Sequence, residues 1–113
     1  MIFVIDDDEI MAECIASATN SETNIFSNAI DAINSIDETP PNLIFLDILL
    51  DGPDGFTFLN ELASYPDLSK IPIVIISSLD LKKYNLNNYN IIKILDKSTM
   101  LPEDIERLAN AYT

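Results

Sequence analysis

The apolar residues of this chain fall into short runs that end at polar residues. Four such runs are plain in the sequence, at 2–5, 43–46, 73–76 and 91–95. Short apolar runs bounded by polar or turn residues predict buried strands of a parallel sheet, because such a sheet is covered on both faces. A fifth strand is predicted at 23–27, where only Ile25 and Phe26 are strongly apolar, and we place it at the sheet edge.

The stretches between these runs carry the apolar spacing of helices. Helices are predicted at 9–19, 28–36, 56–64 and about 101–111, with a short or frayed helix in the Asn-rich stretch 79–90. Asn weakens that last helix, since its side chain competes for backbone hydrogen bonds. We assign the following apolar side chains to the inward faces of the first three helices: Ile10, Ala12, Cys14, Ile15 and Ala18; Ile30, Ile33 and Ile36; Phe58, Leu59 and Leu62.

Five strands alternating with five helices predict a three-layer α/β/α sandwich, a (βα)5 unit built on a parallel sheet. Right-handed crossovers leave few topologies, and the order 2-1-3-4-5 puts the most apolar strands, the first and the third, in the centre. A ligand site of such a sheet lies beyond the carboxyl ends of its strands, at the switch between those two strands. With 113 residues, the chain is expected to form one domain, 1–113.

Polar side chains follow four of the predicted strands. Asp6 and Asp7 follow the first strand and Asp47 follows the third, while Ser77 and Lys97 stand at the ends of the fourth and fifth. Because parallel strands end at the same edge of a sheet, we expect these side chains to meet there. Carboxylate oxygens suit Mg²⁺, and an ammonium suits the oxygens of a phosphoryl group. The pattern therefore predicts a site for Mg²⁺ and phosphate.

Composition narrows the possible functions. The chain has 19 acidic and 6 basic residues, a formal net charge of −13 and no His. This charge opposes binding to nucleic acid or to an anionic membrane, and the lack of His excludes His-based catalysis and His-ligated zinc. The single Cys14, which we expect to be buried, cannot form an internal disulfide, and this fits a reducing cytoplasm. No run approaches the ~18–20 apolar residues of a membrane span, and we expect no signal peptide.

With these residues the chain resembles the receiver domains of bacterial two-component response regulators over essentially its whole length. The resemblance rests on the acidic stretch 6–9, on Asp47 with Asp54-Gly55 seven and eight residues later, on Ser77 thirty residues after Asp47, and on Lys97. It implies a flavodoxin-like fold and a signalling switch rather than a metabolic enzyme. Asp47 would be the phosphoacceptor, and the donor would be the phosphohistidine of a histidine kinase or a histidine phosphotransfer protein.

The resemblance also implies a Mg²⁺ site. Asp7, Asp47 and the backbone carbonyl of Leu49 would be ligands, and Asp6 would act mainly through a bound water. Three clustered carboxylates repel one another without a cation, which favours metal binding and raises at least one carboxyl pKa. The implied output is a change in contacts with an unknown downstream protein in the cytoplasm, without direct contact with nucleic acid or membrane.

Ser77 and Lys97 would contact the phosphoryl oxygens in the same scheme. The sequence departs from the usual family pattern near the lysine: Ile94 stands where an aromatic residue is frequent, and Ser98 where Pro is usual. Leu49 and Leu79 occupy the positions that flank the path of the hydrolytic water in receivers. Because neither apolar side chain can orient that water, we predict a comparatively long-lived acyl phosphate.

Other classes of protein remain as alternatives. A haloacid-dehalogenase-like phosphatase also uses an Asp nucleophile and Mg²⁺, but it needs an Asp-x-Asp motif, and the segment 47–49 lacks the second Asp. A flavodoxin-type cofactor binder needs a Ser, Thr and Gly loop after the first strand, where the acidic 6–9 would repel a phosphate. A receiver-like interaction module that is never phosphorylated is the third alternative.

Overall fold

The structure is a computed structural model that describes residues 1–50, 54–78 and 80–113. Its strands are β1 (Ile2–Ile5), β2 (Thr23–Phe26), β3 (Leu43–Leu46), β4 (Ile73–Ser77) and β5 (Ile91–Asp96). They form one parallel sheet in the order β2-β1-β3-β4-β5. The predicted sheet and strand order are confirmed, and each strand ends within one residue of its predicted limits.

The described residues contain four α-helices and one short 3₁₀ turn. These are α1 (Glu9–Thr19), α2 (Ala29–Ile36), α3 (Gly55–Ala63) and α4 (Pro102–Tyr112), with the 3₁₀ turn at Leu68–Lys70. A polar side chain caps the start of each of the first three helices by accepting backbone N–H bonds: Asp8, Asn28 and Asp54. The chain thus enters each of these helices at a defined residue soon after leaving the edge of the sheet.

The connection between β4 and β5 differs from the prediction. Residues 80–90 form turns without a helix, so the described chain is not a complete (βα)5 unit. The side chain of Asp80 accepts a hydrogen bond from the N–H of Lys82, and that of Asn85 accepts one from Asn87. Such bonds give the backbone partners that a helix would otherwise supply. Local side-chain bonding therefore prevails over helical spacing here.

Two clusters of buried side chains cover the two faces of the sheet. One cluster packs α2 and α3 against the sheet and includes Phe3, Ile5, Ile44, Leu46, Phe58 and Leu81. The other packs α1 and α4 against the opposite face and includes Ile2, Val4, Phe45, Ile15 and Ile105. Every residue of β1 and β3 is buried. The strands that lead to Asp6 and Asp47 therefore lie in the buried centre of the fold.

Two helices bury only part of the inward face predicted for them. Ile10 is 78% exposed and Ile30 is 50% exposed, and Cys14 is exposed rather than buried. The inward positions predicted for Ala12, Ile15 and Ile36 are confirmed, and Thr19 in α1 and Ala29 and Ala32 in α2 are buried beside them. In α1, the residues at 10, 14 and 18 form a second apolar stripe on a different side of the helix, as a period of 3.6 residues requires. The inward face predicted for α3 is confirmed.

Candidate metal and phosphoryl site

The carboxyl ends of β1, β3 and β5 bring the predicted site residues together. Ile5 of β1 pairs with Leu46 of β3, so Asp6 and Asp47 leave neighbouring strands at the same level. Ser77 is the last residue of β4 and pairs with β5 one position before Lys97. The parallel register alone thus places both acids and the lysine at one edge of the sheet.

Asp6 is a buried carboxylate with one oxygen that lacks a hydrogen bond. Its Oδ1 accepts a bond from the N–H of Asp8 at 3.0 Å. Its Oδ2 lies 3.1 Å from Nζ of Lys97, an ion-pair distance, yet makes no hydrogen bond with any described residue. Burial raises the pKa of Asp6 and outweighs the lowering effects of the Asp8 N–H and of Lys97. This oxygen is therefore an available ligand in a place where another positive charge would stabilise it.

Asp47 is held from two sides. The N–H of Leu49 donates to its Oδ1 at 3.1 Å, and Nζ of Lys97 donates to its Oδ2 at 3.0 Å. Only 5% of Asp47 is exposed, whereas the side chain of Leu49 points outward and the residue is 54% exposed. Asp47 is thus held in place at the mouth of the site, and Leu49, two residues later, presents an exposed apolar side chain.

Lys97 bridges the two buried acids. Its side chain is only 20% exposed, and one ammonium lies within 3.1 Å of both Asp6 and Asp47. Burial lowers the pKa of Lys97, but the hydrogen bond to Asp47 and the negative charges of Asp47 and Asp6 outweigh this effect and leave the pKa raised. The lysine therefore stays charged at neutral pH, and one positive charge faces two carboxylates.

The donor set fits a hydrated Mg²⁺ ion. Asp6, Asp7 and Asp47 each offer an oxygen, and these three oxygens all lie within 4.8 Å of one another. Ligands about 2.0–2.1 Å from Mg²⁺ lie at most about 4.2 Å apart, and this ion usually keeps several waters. A small inward movement, or one bridging water, would bring the three acids into one coordination shell. The buried Oδ2 of Asp6 supports this fit, since it is an acceptor without a hydrogen bond.

Ser77 lies beside Lys97 at the carboxyl end of the sheet. Ser77 is buried, and its carbonyl accepts the N–H of Lys97 at 3.1 Å, so the two are joined through the backbone. The hydroxyl role of Ser77 and the carbonyl role of Leu49 stay predictions. Leu79, to which we assigned an effect on phosphoryl lifetime, lies outside the described residues.

Gly55 has a structural role beyond the expected turn and cap. We expected Asp54-Gly55 to act as a turn and cap, and the carboxylate of Asp54 does accept the N–H of Thr57. In addition, a Cβ at Gly55 would lie 2.6 Å from Cα of Ile48 and 2.8 Å from the carbonyl oxygen of Asp47. Glycine therefore lets α3 start directly against the backbone of the phosphoacceptor candidate.

Comparison with known protein families agrees with the fold. Residues 2–108 match the family described as response regulator receiver domain, and the chain belongs to this family. Response regulator PleD of Caulobacter vibrioides is 33% identical over 82 residues, which are 70% of this chain and 18% of PleD. Transcriptional regulatory protein BaeR of Escherichia coli is 28% identical over 81 residues, which are 68% of this chain and 32% of BaeR. The chain thus spans less than a third of these curated relatives.

Solved structures show the same fold. The receiver domain of NtrX from Brucella abortus superposes with a TM-score of 0.84 at 24% identity, covering 99% of this chain and 97% of that one. The receiver domain of the Francisella response regulator 1452 gives a TM-score of 0.83 at 20% identity, covering 98% and 93%. Within the described residues, none of the helices has the length and apolar character needed to cross a bilayer.

Proposed function

We propose that this chain is the phosphoacceptor receiver of a two-component phosphorelay, in which Asp47 takes a phosphoryl group from a phosphohistidine in the presence of Mg²⁺. One observation carries the proposal: a single ammonium, Lys97, lies within 3.1 Å of two buried carboxylates, with a third carboxylate beside them. The donor would be a histidine kinase or a histidine phosphotransfer protein. Output would pass to a downstream protein, and the chain would catalyse only its own phosphorylation and dephosphorylation.

The metal would be held by Asp7, Asp47 and the carbonyl of Leu49, with Asp6 acting through water. When bound, Mg²⁺ supplies positive charge to the carboxylates and to the phosphoryl oxygens. Neutralisation matters here because Asp6, Asp7 and Asp47 together carry three formal negative charges against the single positive charge of Lys97.

The transfer forms one bond and breaks another. A carboxylate oxygen of Asp47 attacks phosphorus while the bond from phosphorus to the histidine nitrogen breaks, and the imidazole leaves with that electron pair. The transition state is loose, with charge spread over the equatorial oxygens, so catalysis consists of positioning and charge stabilisation. Lys97 would contact one phosphoryl oxygen, and the hydroxyl of Ser77 another.

Phosphorylation changes the charge balance of the pocket. The acyl phosphate adds roughly −1.5 to −2 charges at the end of β3. Lys97 would then exchange its contact with Asp47 for one with the phosphoryl group, and Ser77 would follow from the end of β4. A local change of charge would in this way alter the ends of two strands and the loops after them. The family match gives no support to a haloacid-dehalogenase-like phosphatase.

The test is uptake of a phosphoryl group from acetyl phosphate, with and without Mg²⁺, read by intact mass. We expect Mg²⁺-dependent uptake by the wild type and none by Asp47→Asn. The matched control is Asp54→Asn, a nearby acid whose role as a helix cap Asn can fill. Full uptake by Asp47→Asn would show that the nucleophile is misassigned, and no uptake by the wild type would remove the proposal.

A further inference from the structure

Lys97 lies in a turn that is closed by hydrogen bonds to the preceding residue, Asp96. The Oδ1 atom of Asp96 accepts two hydrogen bonds from Ser98, from the N–H at 2.8 Å and from the hydroxyl at 2.7 Å. The carbonyl of Asp96 accepts two more, from the N–H of Thr99 at 3.1 Å and of Met100 at 2.9 Å. Asp96 therefore closes the whole turn 96–100 with its side chain and its backbone.

The backbone of Lys97 is held between this turn and the sheet. Its N–H donates to the carbonyl of Ser77 at 3.1 Å, which ties it to the end of β4. A lysine side chain has a flexible four-carbon stem, so the place its ammonium reaches depends on where the backbone starts it. A turn that fixes this starting point lowers the entropy cost of placing the ammonium between Asp6 and Asp47.

The hydrogen bonds from Ser98 also hold the negatively charged side chain of Asp96 in place. Asp96 is an exposed carboxylate directly beside a lysine, and as a free side chain it would compete for the ammonium. Among the described residues, however, the acids that form ion pairs with Lys97 are Asp6 and Asp47. The hydroxyl and N–H of Ser98 both bond to Oδ1 of Asp96, which keeps this carboxylate within the turn and lowers its pKa.

We propose that Asp96 and Ser98 are positioning residues for Lys97. Their paired hydrogen bonds hold the turn so that the ammonium reaches Asp47, and they keep the carboxylate of Asp96 away from it. The consequence for phosphoryl transfer depends on the proposed function, whereas the consequence for the placement of Lys97 does not. The sequence contains a weak indication of this turn, because Lys97 stands directly between Asp96 and Ser98.

Four substitutions distinguish the effect of losing the hydrogen bonds from other effects of changing Asp96 or Ser98. Ser98→Ala removes the bond from the hydroxyl, and Asp96→Ala removes both bonds to the carboxylate. By contrast, Ser98→Thr keeps the hydroxyl, and Asp96→Asn keeps an acceptor oxygen suited to the same turn. We expect the two alanine variants to take up phosphoryl from acetyl phosphate about three- to tenfold more slowly, as the loss of one or two hydrogen bonds implies. The two conservative variants should keep most of the wild-type rate. Equal losses in all four would overturn the proposal.

A double-mutant cycle tests whether the effect passes through Lys97. If the turn acts by positioning the ammonium, Ser98→Ala should cause little further loss of rate in a Lys97→Ala background. The same proportional loss with and without the lysine would contradict a positioning role and show a general structural effect instead.

The placement of Lys97 can be measured without phosphorylation. In the metal-free protein, nitrogen-15 NMR of the Lys97 ammonium reports how strongly its protons are held. We expect faster proton exchange in Ser98→Ala and Asp96→Ala, and wild-type exchange in Ser98→Thr and Asp96→Asn. Unchanged exchange in both alanine variants would overturn the proposal. A wild type with a well-held ammonium but no phosphoryl uptake would instead count against the proposed function alone.

Discussion

Nζ of Lys97 donates a hydrogen bond to Oδ2 of Asp47 at 3.0 Å, although fifty positions separate the two residues in the chain. Each leaves the carboxyl end of its own strand, β5 and β3, and β4 lies between these strands in the sheet. The lysine therefore reaches across one strand to its partner. In doing so it also comes within 3.1 Å of Asp6, on the far side of β3.

Removal of the lysine should destabilise the metal-free protein. Lys97→Met leaves Asp6 and Asp47 buried without their cation, and breaking a buried pair costs about 3–5 kcal/mol. Because the lysine is 20% exposed, we expect a smaller loss, about 1–3 kcal/mol in the free energy of unfolding. Urea denaturation measures it, and Mg²⁺ should restore part of the loss. Lys93→Met, at an exposed lysine of β5, is the control and should have little effect.

Asp6 should make the stability of the metal-free protein depend on pH. Its pKa in the folded state is raised above 3.8, so its favourable contribution is complete below about pH 3.8 and is lost as the pH rises through the folded pKa. Asp6→Asn removes the charge and keeps the shape. The variant should therefore gain stability relative to the wild type as the pH rises from 3.8 towards neutrality, as measured by urea denaturation across that range.

The same comparison in Mg²⁺ provides the control for Asp6. A bound cation offsets the cost of the buried charge, so the advantage of Asp6→Asn at neutral pH should shrink or reverse when Mg²⁺ is added. A pH-independent difference between the variant and the wild type would contradict a raised pKa at this position.

Leu49 should prolong the life of the acyl phosphate. Its side chain is 54% exposed two residues after Asp47, where an apolar group cannot orient an attacking water. Leu49→Asn supplies an amide that can hold that water, so loss of phosphate from the phosphorylated protein in Mg²⁺ should become severalfold faster. Ile30→Asn, at a 50% exposed position of α2, is the matched control. If the two variants lose phosphate at the same rate, Leu49 does not govern the lifetime.

The helix-free connection 80–90 should depend on α3 for its order. The hydroxyl of Tyr89 donates to Oδ1 of Asn60, and the ring of Tyr84 lies 5.0 Å from that of Phe56. Tyr89→Phe removes one partly exposed hydrogen bond, which should cost about 0.5–1 kcal/mol of stability. Hydrogen exchange should become faster in 80–90 and stay unchanged in β1 and β3. Tyr112→Phe, near the end of α4, serves as the control.

Much of the fold could be predicted because strands covered on both faces are readable as apolar runs. The runs at 2–5 and 43–46 are entirely buried, and their ends mark where Asp6 and Asp47 emerge. Parallel strands then bring those ends to one edge of the sheet, regardless of the structure of the segments that connect them. The meeting of the two acids with Lys97 therefore followed from local pattern and sheet geometry alone.

The sequence by itself thus determined the strands, their order and the residues that meet at the sheet edge. Only the tertiary structure decided which side of α1 and α2 faces the sheet, because apolar residues such as Ile10, Cys14 and Ile30 occupy more than one side of a helix. Only the tertiary structure also showed that 80–90 is anchored by contacts with α3 rather than by a helix of its own. Both outcomes depend on packing between segments distant in the chain, which a local pattern does not contain.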